Sequence, residues 1–256
     1  MKEKYMISST KFVVKKLKSF IDLTDNEIST FSSMPSRLIT LSAGREIVHE
    51  GQRAHNAFIL LDGWVASYKL LPDGTRQIID FQIPGDFLGL RSLLLRTSDH
   101  SFEAITEITI AEVSAQNIKS TFAKSPRLAS AILWAASRDE AMVVEHLVNI
   151  GRRSAIVRTA HFLLELGIRL NLIGVGTKNS YPCPLSQYLL ADALGLSAIH
   201  INRVLRQLRE QNLMTFQKGI VHFDNLEKLI ELADFQVGYL DQDEPIIRND
   251  TGHTGH

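Results

Sequence analysis

The chain has 256 residues, 45% of them hydrophobic, and its 28 basic and 28 acidic side chains balance to a net charge of zero. That length suffices for two modest domains with a core each, and the apolar fraction excludes an intrinsically disordered protein. The sequence contains no run of about 18 apolar residues, and residues 1–20 lack the apolar centre of a signal peptide, so we expect a cytoplasmic protein without membrane spans. Cys183 is the only cysteine, which excludes an internal disulfide and any iron–sulfur cluster held by several cysteines of one chain.

Short strands are predicted for most of the N-terminal half. Residues 1–34 are typical of a tail followed by one or two short helices, with a capping box over Thr24–Glu27. From Arg37–Val113 the sequence changes to short runs rich in Val, Ile, Phe and Tyr, separated by glycines and by turn pairs such as Asp62-Gly63. This regular spacing predicts a small antiparallel β-roll with a jelly-roll-like arrangement.

An insertion and a long helix are predicted next. Pro84–Ser101 interrupts the strands, and its leucines predict a short helix under a loop, which could hold an anion or could be a packed lid with nothing bound. Ser125-Pro126 then begins a helix that runs to Gly151, a C-cap or hinge. At about 1.5 Å per residue this helix is too long for one small roll to cover. Its apolar seam therefore predicts packing against the same helix of a second copy of the chain, and Asp139 and His146 are expected to interrupt the seam and fix the register.

A pair of short helices with a tight turn is the most informative part of the chain. In Pro184–Gln211 both helical segments carry apolar residues at helical spacing, Gly195 breaks the pattern between them, and Ser197 can cap the second helix. This arrangement predicts a helix-turn-helix, whose second helix lies in the major groove of DNA. There Arg203 can donate two hydrogen bonds to guanine, and Ile199 suits a thymine methyl group. The predicted outward face of this helix consists of Ile199, His200, Asn202, Arg203 and Arg206.

The segments after this motif and the distribution of charge favour DNA binding. Residues 213–223 predict a two-stranded wing, with Lys218 in its turn near the DNA backbone or minor groove, and Asp224 is expected to cap a last helix. Residues 152–218 hold nine Lys/Arg and three acids, whereas residues 219–256 hold two and eight. A basic segment in a neutral chain indicates phosphate binding. The alternative interpretation of the motif is an amphipathic helical hairpin with a solvated basic face.

Three strings resemble bacterial transcription regulators of the Crp/Fnr superfamily, along nearly the whole chain. GREIVHEGQRAHNAFILLDGWV is similar to the first turns of that family's β-roll, IPGDFLGL to the entry of its effector pocket, and LADALGLSAIHINRVLRQLREQNLM to its recognition motif. Arg203 matches the family arginine, whereas Ile199 replaces a common glutamate, so the operator need not be the familiar one of the family. The resemblance places two sets of residues against DNA: Ser186, Gln187 and Tyr188 at the phosphates, and Ser197, Ile199, His200 and Arg203 among the bases.

The resemblance also implies an effector pocket, but its ligand stays open. Where cyclic-AMP-binding members carry an acidic residue and an arginine, this chain has Leu90 and His100, with Ser101 retained. The loss of both groups argues against cyclic AMP. His49, His55 and His100 are the histidines that could be nominated for haem, but a lone histidine is more often structural. Arg91 and Arg96 lie nearby and could partly substitute for the lost cation, although neither matches the family by position. The candidate pocket residues are therefore Gly89, Leu90, Arg91, Arg96, His100 and Ser101.

Together these patterns predict an α+β protein in four parts. They are the N-terminal helices and a cyclic-nucleotide-binding-like β-roll sensor in residues 1–123, a dimerisation helix and hinge in residues 124–151, a winged helix-turn-helix in residues 152–235 and an acidic tail in residues 236–256. The predicted function is a homodimeric regulator that binds double-stranded DNA at an inverted repeat, with RNA polymerase as a further partner if it activates. The alternative is a ligand-binding module whose helical end docks protein rather than DNA. The sequence shows no nucleophile elbow, metal-ligand cluster or P-loop, so we expect neither an enzyme nor a metal site.

Overall fold

The computed structural model describes residues 10–53, 56–240 and 245, and it confirms the predicted α+β architecture. Two short helices, α1 (Lys11–Lys18) and α2 (Asp25–Ser32), precede the sheets. The predicted capping box is present, because the Glu27 N–H donates to Thr24 Oγ1 at 3.3 Å and the Thr24 N–H donates to Glu27 Oε2 at 2.9 Å. His55, nominated above for haem, and residues 241–244 and 246–256 of the acidic tail lie outside the described residues.

The predicted β-roll is present between α2 and the long helix. Its strands are β1 (Arg37–Leu41), β2 (Glu46–Val48), β3 (Ala57–Asp62), β4 (Val65–Leu70), β5 (Arg76–Gln82), β6 (Phe87–Leu88), β7 (Ser101–Ala104) and β8 (Ile108–Val113). They form two antiparallel sheets, ordered β1-β8-β3-β6 and β2-β7-β4-β5. Gly63 turns the chain between β3 and β4 with a φ of 83°, in the left-handed region that glycine enters without steric cost. Phe58, Leu60 and Ile110 belong to the core between the sheets.

The insertion and the long helix differ in detail from the predictions. The expected short helix between β6 and β7 is a single 3-10 turn at Arg91–Leu94. Two helices follow β8, namely α3 (Ala115–Lys124) and α4 (Pro126–Arg152). Ser125 caps α4, since its hydroxyl accepts from the Leu128 N–H at 3.2 Å. Gly151 lies inside the last turn and is not the C-cap that was predicted; the helix ends where Arg153 adopts an extended conformation.

The C-terminal part contains the predicted helix-turn-helix and wing. Its elements are α5 (Ala155–Ile173), β9 (Ser180–Pro182), α6 (Gln187–Leu194), α7 (Ala198–Glu210), β10 (Met214–Gln217), β11 (Ile220–Phe223) and α8 (Leu226–Ala233). The wing has a third strand that the sequence did not reveal, because Tyr181 of β9 pairs with Val221 of β11. The predicted cap of α8 was wrong by one residue. Asn225, rather than Asp224, accepts from the Lys228 N–H at 3.1 Å.

One hydrophobic core joins the β-roll to the helix-turn-helix. It runs from Phe81 in the roll through Met142 of α4 to Val221 in the wing. A 3-10 turn at Val237–Leu240 packs on α4 with Leu240 fully buried, so the loose tail predicted from residue 236 does not include these residues. Among the helices described above, none combines the length and the apolar character that crossing a bilayer requires.

Candidate functional site

Local signals in the sequence shape the helix-turn-helix. Gly195 ends α6 with a φ of 61°, and the next N–H, that of Leu196, donates to the Ala191 carbonyl at 3.1 Å. Ser197 then begins α7, because its Oγ accepts from the His200 N–H at 3.2 Å. The inner side of α7 is buried through Ile201, Val204 and Leu208. The turn glycine and the serine cap are therefore at the positions that the sequence predicted.

The outward face of α7 is exposed and meets α6 in a shallow depression. Ile199 is 75% exposed, which is unusual for an isoleucine, and Arg203 lies one turn further along the helix. Arg209 and Phe216 also line the depression, although they were not predicted. Arg209 continues the spacing of Arg203 and Arg206, which could have signalled it. The full lining is Gln187, Ile199, Asn202, Arg203, Leu205, Arg206, Arg209 and Phe216.

The other predicted DNA-binding residues lie around this depression. Ser186 caps α6, accepting from the Leu189 N–H at 3.2 Å, and Tyr188 is 75% exposed beside it. His200 is exposed on the first turn of α7, and Lys218 is exposed in the wing turn with a φ of 51°. All are open to a ligand as large as DNA, but the depression itself does not include them.

Several arginines counted in the basic segment are bound within the protein. Arg169 is only 2% exposed, which contradicts its contribution to a surface charge. Arg153 Nη1 donates to Glu145 Oε2 at 2.8 Å, and Arg158 Nη1 donates to the Leu194 carbonyl at 2.9 Å. The positive charge available to phosphates is therefore smaller than the sequence count suggested, and it is concentrated on α7 and the wing.

Arg169 of α5 lies at the centre of a buried ionic cluster that joins the β-roll to the DNA-binding part. Its two terminal nitrogens donate to both Asp80 oxygens at 2.9 and 3.2 Å, to Asp86 Oδ2 at 2.9 Å and to the Phe81 carbonyl at 2.9 Å. Lys16 of α1 donates to the other Asp86 oxygen at 2.7 Å. Burial disfavours the charged form of Asp86, but Lys16 and Arg169 outweigh burial and hold its pKa well below the ordinary value.

A second pair extends this cluster to α4. His146 Nε2 lies 3.0 Å from Glu165 Oε1, His146 Nδ1 lies 3.0 Å from the Ile79 carbonyl, and the Tyr239 hydroxyl donates to Glu165 Oε2 at 2.8 Å. Burial opposes both charges, but the pairing outweighs it, raising the pKa of His146 to about 9 and lowering that of Glu165 to about 2. His146 is therefore protonated at pH 7.

The same cluster contains three groups that could in principle hold a metal ion. One ligand atom each of Asp80, His146 and Glu165 lies within 4.8 Å of the others. Both oxygens of Asp80 accept from Arg169, and the two oxygens of Glu165 contact His146 and the Tyr239 hydroxyl, so every carboxylate oxygen of this set already has a partner. The residues present therefore do not fit a metal.

An apolar seam runs along the outer side of α4, and its polar member differs from the prediction. Leu147 is 71% exposed and Leu133 is 67% exposed on this side. Asp139 and His146, predicted to interrupt the seam, instead face the buried cluster, because each precedes a seam position by one residue and so points about 100° away. Glu140 is the polar residue that lies in it. We define the α4 seam as Leu133, Ala136, Glu140, Val143, Leu147 and Ile150, which follow a heptad spacing.

A cavity of about 350 Å³ lies between the β-roll and α4. Gly89, Leu90, Arg91 and His100, four of the predicted pocket residues, line it. Arg96 and Ser101, the other two, do not; the Ser101 hydroxyl accepts from the Glu50 N–H at 2.9 Å. Further walls, which sequence reasoning missed, come from β4 and α4, far from the insertion in the chain, and from β5, which ends two residues before it. They include Ser67, Gln82, Asp139 and Glu140.

Both basic candidates in this cavity contact Asp99. Arg91 forms an ion pair with Asp99. His100 Nδ1 lies 2.8 Å from Asp99 Oδ1, yet burial, with the nearby Arg91 charge, lowers the pKa of His100 below its ordinary value. Burial therefore disfavours a positive charge on the His100 imidazole.

Comparison with known proteins identifies the family to which this chain belongs. A cyclic nucleotide-binding domain matches residues 38–125, and a Crp-like helix-turn-helix domain matches residues 157–232. The nitrogen fixation regulation protein FixK of Bradyrhizobium diazoefficiens is 32% identical over 184 residues, which are 72% of this chain and 76% of that protein. The chain belongs to the Crp/Fnr family. FixK of Rhizobium meliloti, another Crp/Fnr relative, is 33% identical over 187 residues, which are 72% of this chain and 81% of that protein.

Solved Crp/Fnr structures have the same fold. The structure of FixK2 from Bradyrhizobium japonicum superposes with a TM-score of 0.69 at 27% identity, covering 77% of this chain and 96% of that one. A CRP/FNR-family transcriptional regulator from Thermus thermophilus gives 0.60 at 19% identity, covering 77% and 98%. As a Crp/Fnr member, the protein is a transcription regulator rather than an enzyme.

Proposed function

We propose that this Crp/Fnr protein is a homodimeric regulator that reads an inverted-repeat operator through α7, under the control of a β-roll sensor that does not take cyclic AMP. The observation that carries the proposal is the depression between α6 and α7. There Arg203, Asn202 and the exposed Ile199 lie beside Gln187, which combines base-reading groups with a group that can hold the backbone. An isoleucine three-quarters exposed among arginines favours contact with a thymine methyl over a merely solvated helix.

The α4 seam supports the dimer. Leu147 and Leu133 expose most of their surface to water in a single copy, and a twofold-related α4 would cover both. Two copies of α7 related by that axis would enter successive major grooves about one helical turn apart. The operator is then an inverted repeat, and the half-site spacing follows from the distance between the two recognition helices.

The cavity supports a sensor with an unfamiliar ligand. Leu90 and His100 take the places where cyclic-AMP-binding relatives have an acid and an arginine, and Arg91 forms an ion pair with Asp99.

We place the protein in the cytoplasm, where it would meet chromosomal DNA, and RNA polymerase is a further partner if the protein activates transcription.

Binding-site selection from a random duplex library tests the proposal. We expect enrichment of one inverted repeat, a slope of log K against log salt that indicates several phosphate contacts, and a complex with two protein chains per duplex. If the protein enriches no sequence at low or moderate salt and instead retains a protein partner, the alternative of a module that docks protein would replace this proposal.

A further inference from the structure

Two side chains of the β-roll hold the C-terminal end of α6. Arg76, the first residue of β5, donates from Nε to Asp192 Oδ2 at 2.8 Å, and Gln77 donates from Nε2 to the Ala193 carbonyl at 3.1 Å. Each contact joins positions 116 residues apart. The last carbonyls of a helix have no partner within it, so Gln77 supplies the hydrogen bond that a C-cap would otherwise make. We call Arg76 and Gln77 the α6 clamp.

Both residues of the α6 clamp are themselves bound within the β-roll. Arg76 Nη1 donates to Glu103 Oε2 of β7 at 3.3 Å, and the guanidinium lies over the ring of Tyr68 of β4, 5.6 Å from its centroid. Gln77 Nε2 carries two hydrogens, and it also donates to the Ile78 carbonyl at 2.8 Å. Because the roll already orders both side chains, little conformational entropy is lost when they hold α6.

The α6 clamp lies close to the end of the proposed dimer helix. The turn after α6 lies against α4, since a Cβ placed on Gly195 would be 3.6 Å from Cγ2 of Ile150, the last residue of the α4 seam. A shift of α6 against the roll would therefore change the distance of α7 from the twofold axis at the seam. One base pair of B-DNA corresponds to about 3.4 Å and about 35° of rotation, so even a small shift changes the half-site spacing that two copies of α7 match.

We propose that Arg76 and Gln77 are positioning residues for DNA recognition, which hold α6 so that the two copies of α7 match one half-site spacing. The proposal rests on the proposed function in one respect, the reading of an inverted repeat by a dimer. It gives the β-roll a part in DNA recognition that requires no ligand.

Fluorescence anisotropy of the full-length protein with a set of duplexes tests this. The set contains the selected operator, the same half-sites moved apart or together by one and two base pairs, and a single half-site. In the wild type a change of two base pairs should cost about tenfold or more in affinity, because a dimer of fixed geometry then engages only one half-site. In Arg76→Met/Gln77→Leu the same change should cost about threefold or less, because α6 is no longer held. Affinity for the single half-site should stay that of the wild type.

Three single variants separate positioning from general damage. Asp192→Asn keeps the size of the side chain and removes its charge, so it should flatten the spacing profile in part, from the α6 side of the contact. Arg76→Lys keeps a cation for Asp192 and should retain the wild-type profile. Lys69→Met is the matched control, because it removes a 2.6 Å ion pair with Glu50 from the same sheet without touching α6, and it should also retain that profile.

A wild-type spacing profile in Arg76→Met/Gln77→Leu would overturn the proposal and leave the proposed function intact. An equal loss of affinity for the single half-site and for the full operator in that variant would also overturn it, because the damage would then lie in α7 itself. Loss of the spacing preference in Lys69→Met would refute the assignment to the α6 clamp. A wild type that binds the single half-site as tightly as the inverted repeat would refute the proposed function together with the proposal.

Discussion

Replacing Arg169 should destabilise the protein far more than replacing an arginine on its surface. Arg169→Met keeps most of the length of the side chain but removes the charge that lies between α5 and the β-roll. Asp80 then loses the cation that binds both its oxygens, while Asp86 keeps Lys16 at 2.7 Å. The perturbation therefore leaves one buried carboxylate without its partner.

The magnitude follows from burial. The Arg169 side chain is 1% exposed, and removing one partner of a buried ion pair costs about 3–5 kcal/mol. The Arg37 side chain is 67% exposed in its 2.8 Å pair with Glu112, and pairs of that kind contribute about 0–1 kcal/mol. Arg37→Met is therefore the matched control.

Urea unfolding measures the difference. We expect the free energy of unfolding to fall by about 3–5 kcal/mol in Arg169→Met and by less than about 1 kcal/mol in Arg37→Met. Asp80→Asn added to Arg169→Met should restore part of the loss, because it removes the carboxylate left unpaired. A loss in Arg169→Met no larger than in Arg37→Met would refute the idea that the cluster joins the two parts of the protein.

Three further outcomes are expected. The pKa of His146 is raised to about 9 from 6.5, so its contribution to the free energy of unfolding is full below pH 6.5 and is lost as pH rises through 9. The pKa of Glu165 is lowered to about 2 from 4.5, so its contribution is full above pH 4.5 and is lost as pH falls through 2. Both shifts describe one interaction, which is worth about 3 kcal/mol. In urea unfolding the wild type should therefore lose stability between pH 6 and pH 9.5, and His146→Gln should not show this loss. A pH profile unchanged by His146→Gln would exclude the pair. Leu147→Glu should produce monomers in sedimentation velocity, whereas Leu70→Glu, at a leucine 64% exposed on the roll, should leave the mass unchanged; a dimeric Leu147→Glu would place the interface elsewhere. Gly195→Ala should lower the free energy of unfolding by about 1–2 kcal/mol because of its φ of 61°, and a neutral effect would show that the turn relaxes.

Local signals were enough to predict the helix-turn-helix. Gly195 and Ser197 act through their own backbone and through neighbours within four residues, so the sequence contains all the information that their geometry needs. The burial of Arg169 could not be predicted in the same way. It depends on Asp80, 89 residues earlier, and an arginine in a helix counts as surface charge until its partner is known.

The long helix α4 was predicted only in part. Its apolar periodicity predicted an exposed seam, but the phase of the seam depends on which face packs against the roll, and Asp139 and His146 were assigned to the wrong side. The cavity followed the same rule. Leu90 belongs to a recognisable string and His100 follows it by ten residues, whereas Ser67 and Glu140 come from β4 and α4 and meet that string only in the folded chain.

The most direct test of the central claim compares operator and random DNA in Arg203→Ala. A bidentate contact to guanine is worth about 1–3 kcal/mol of discrimination, and a dimer would make it twice. We expect Arg203→Ala to bind the selected operator almost as weakly as random duplex, while Arg45→Ala, at an exposed arginine of the roll, keeps the wild-type ratio. An unchanged ratio of operator to random affinity in Arg203→Ala would contradict the assignment of α7 as the helix that reads DNA.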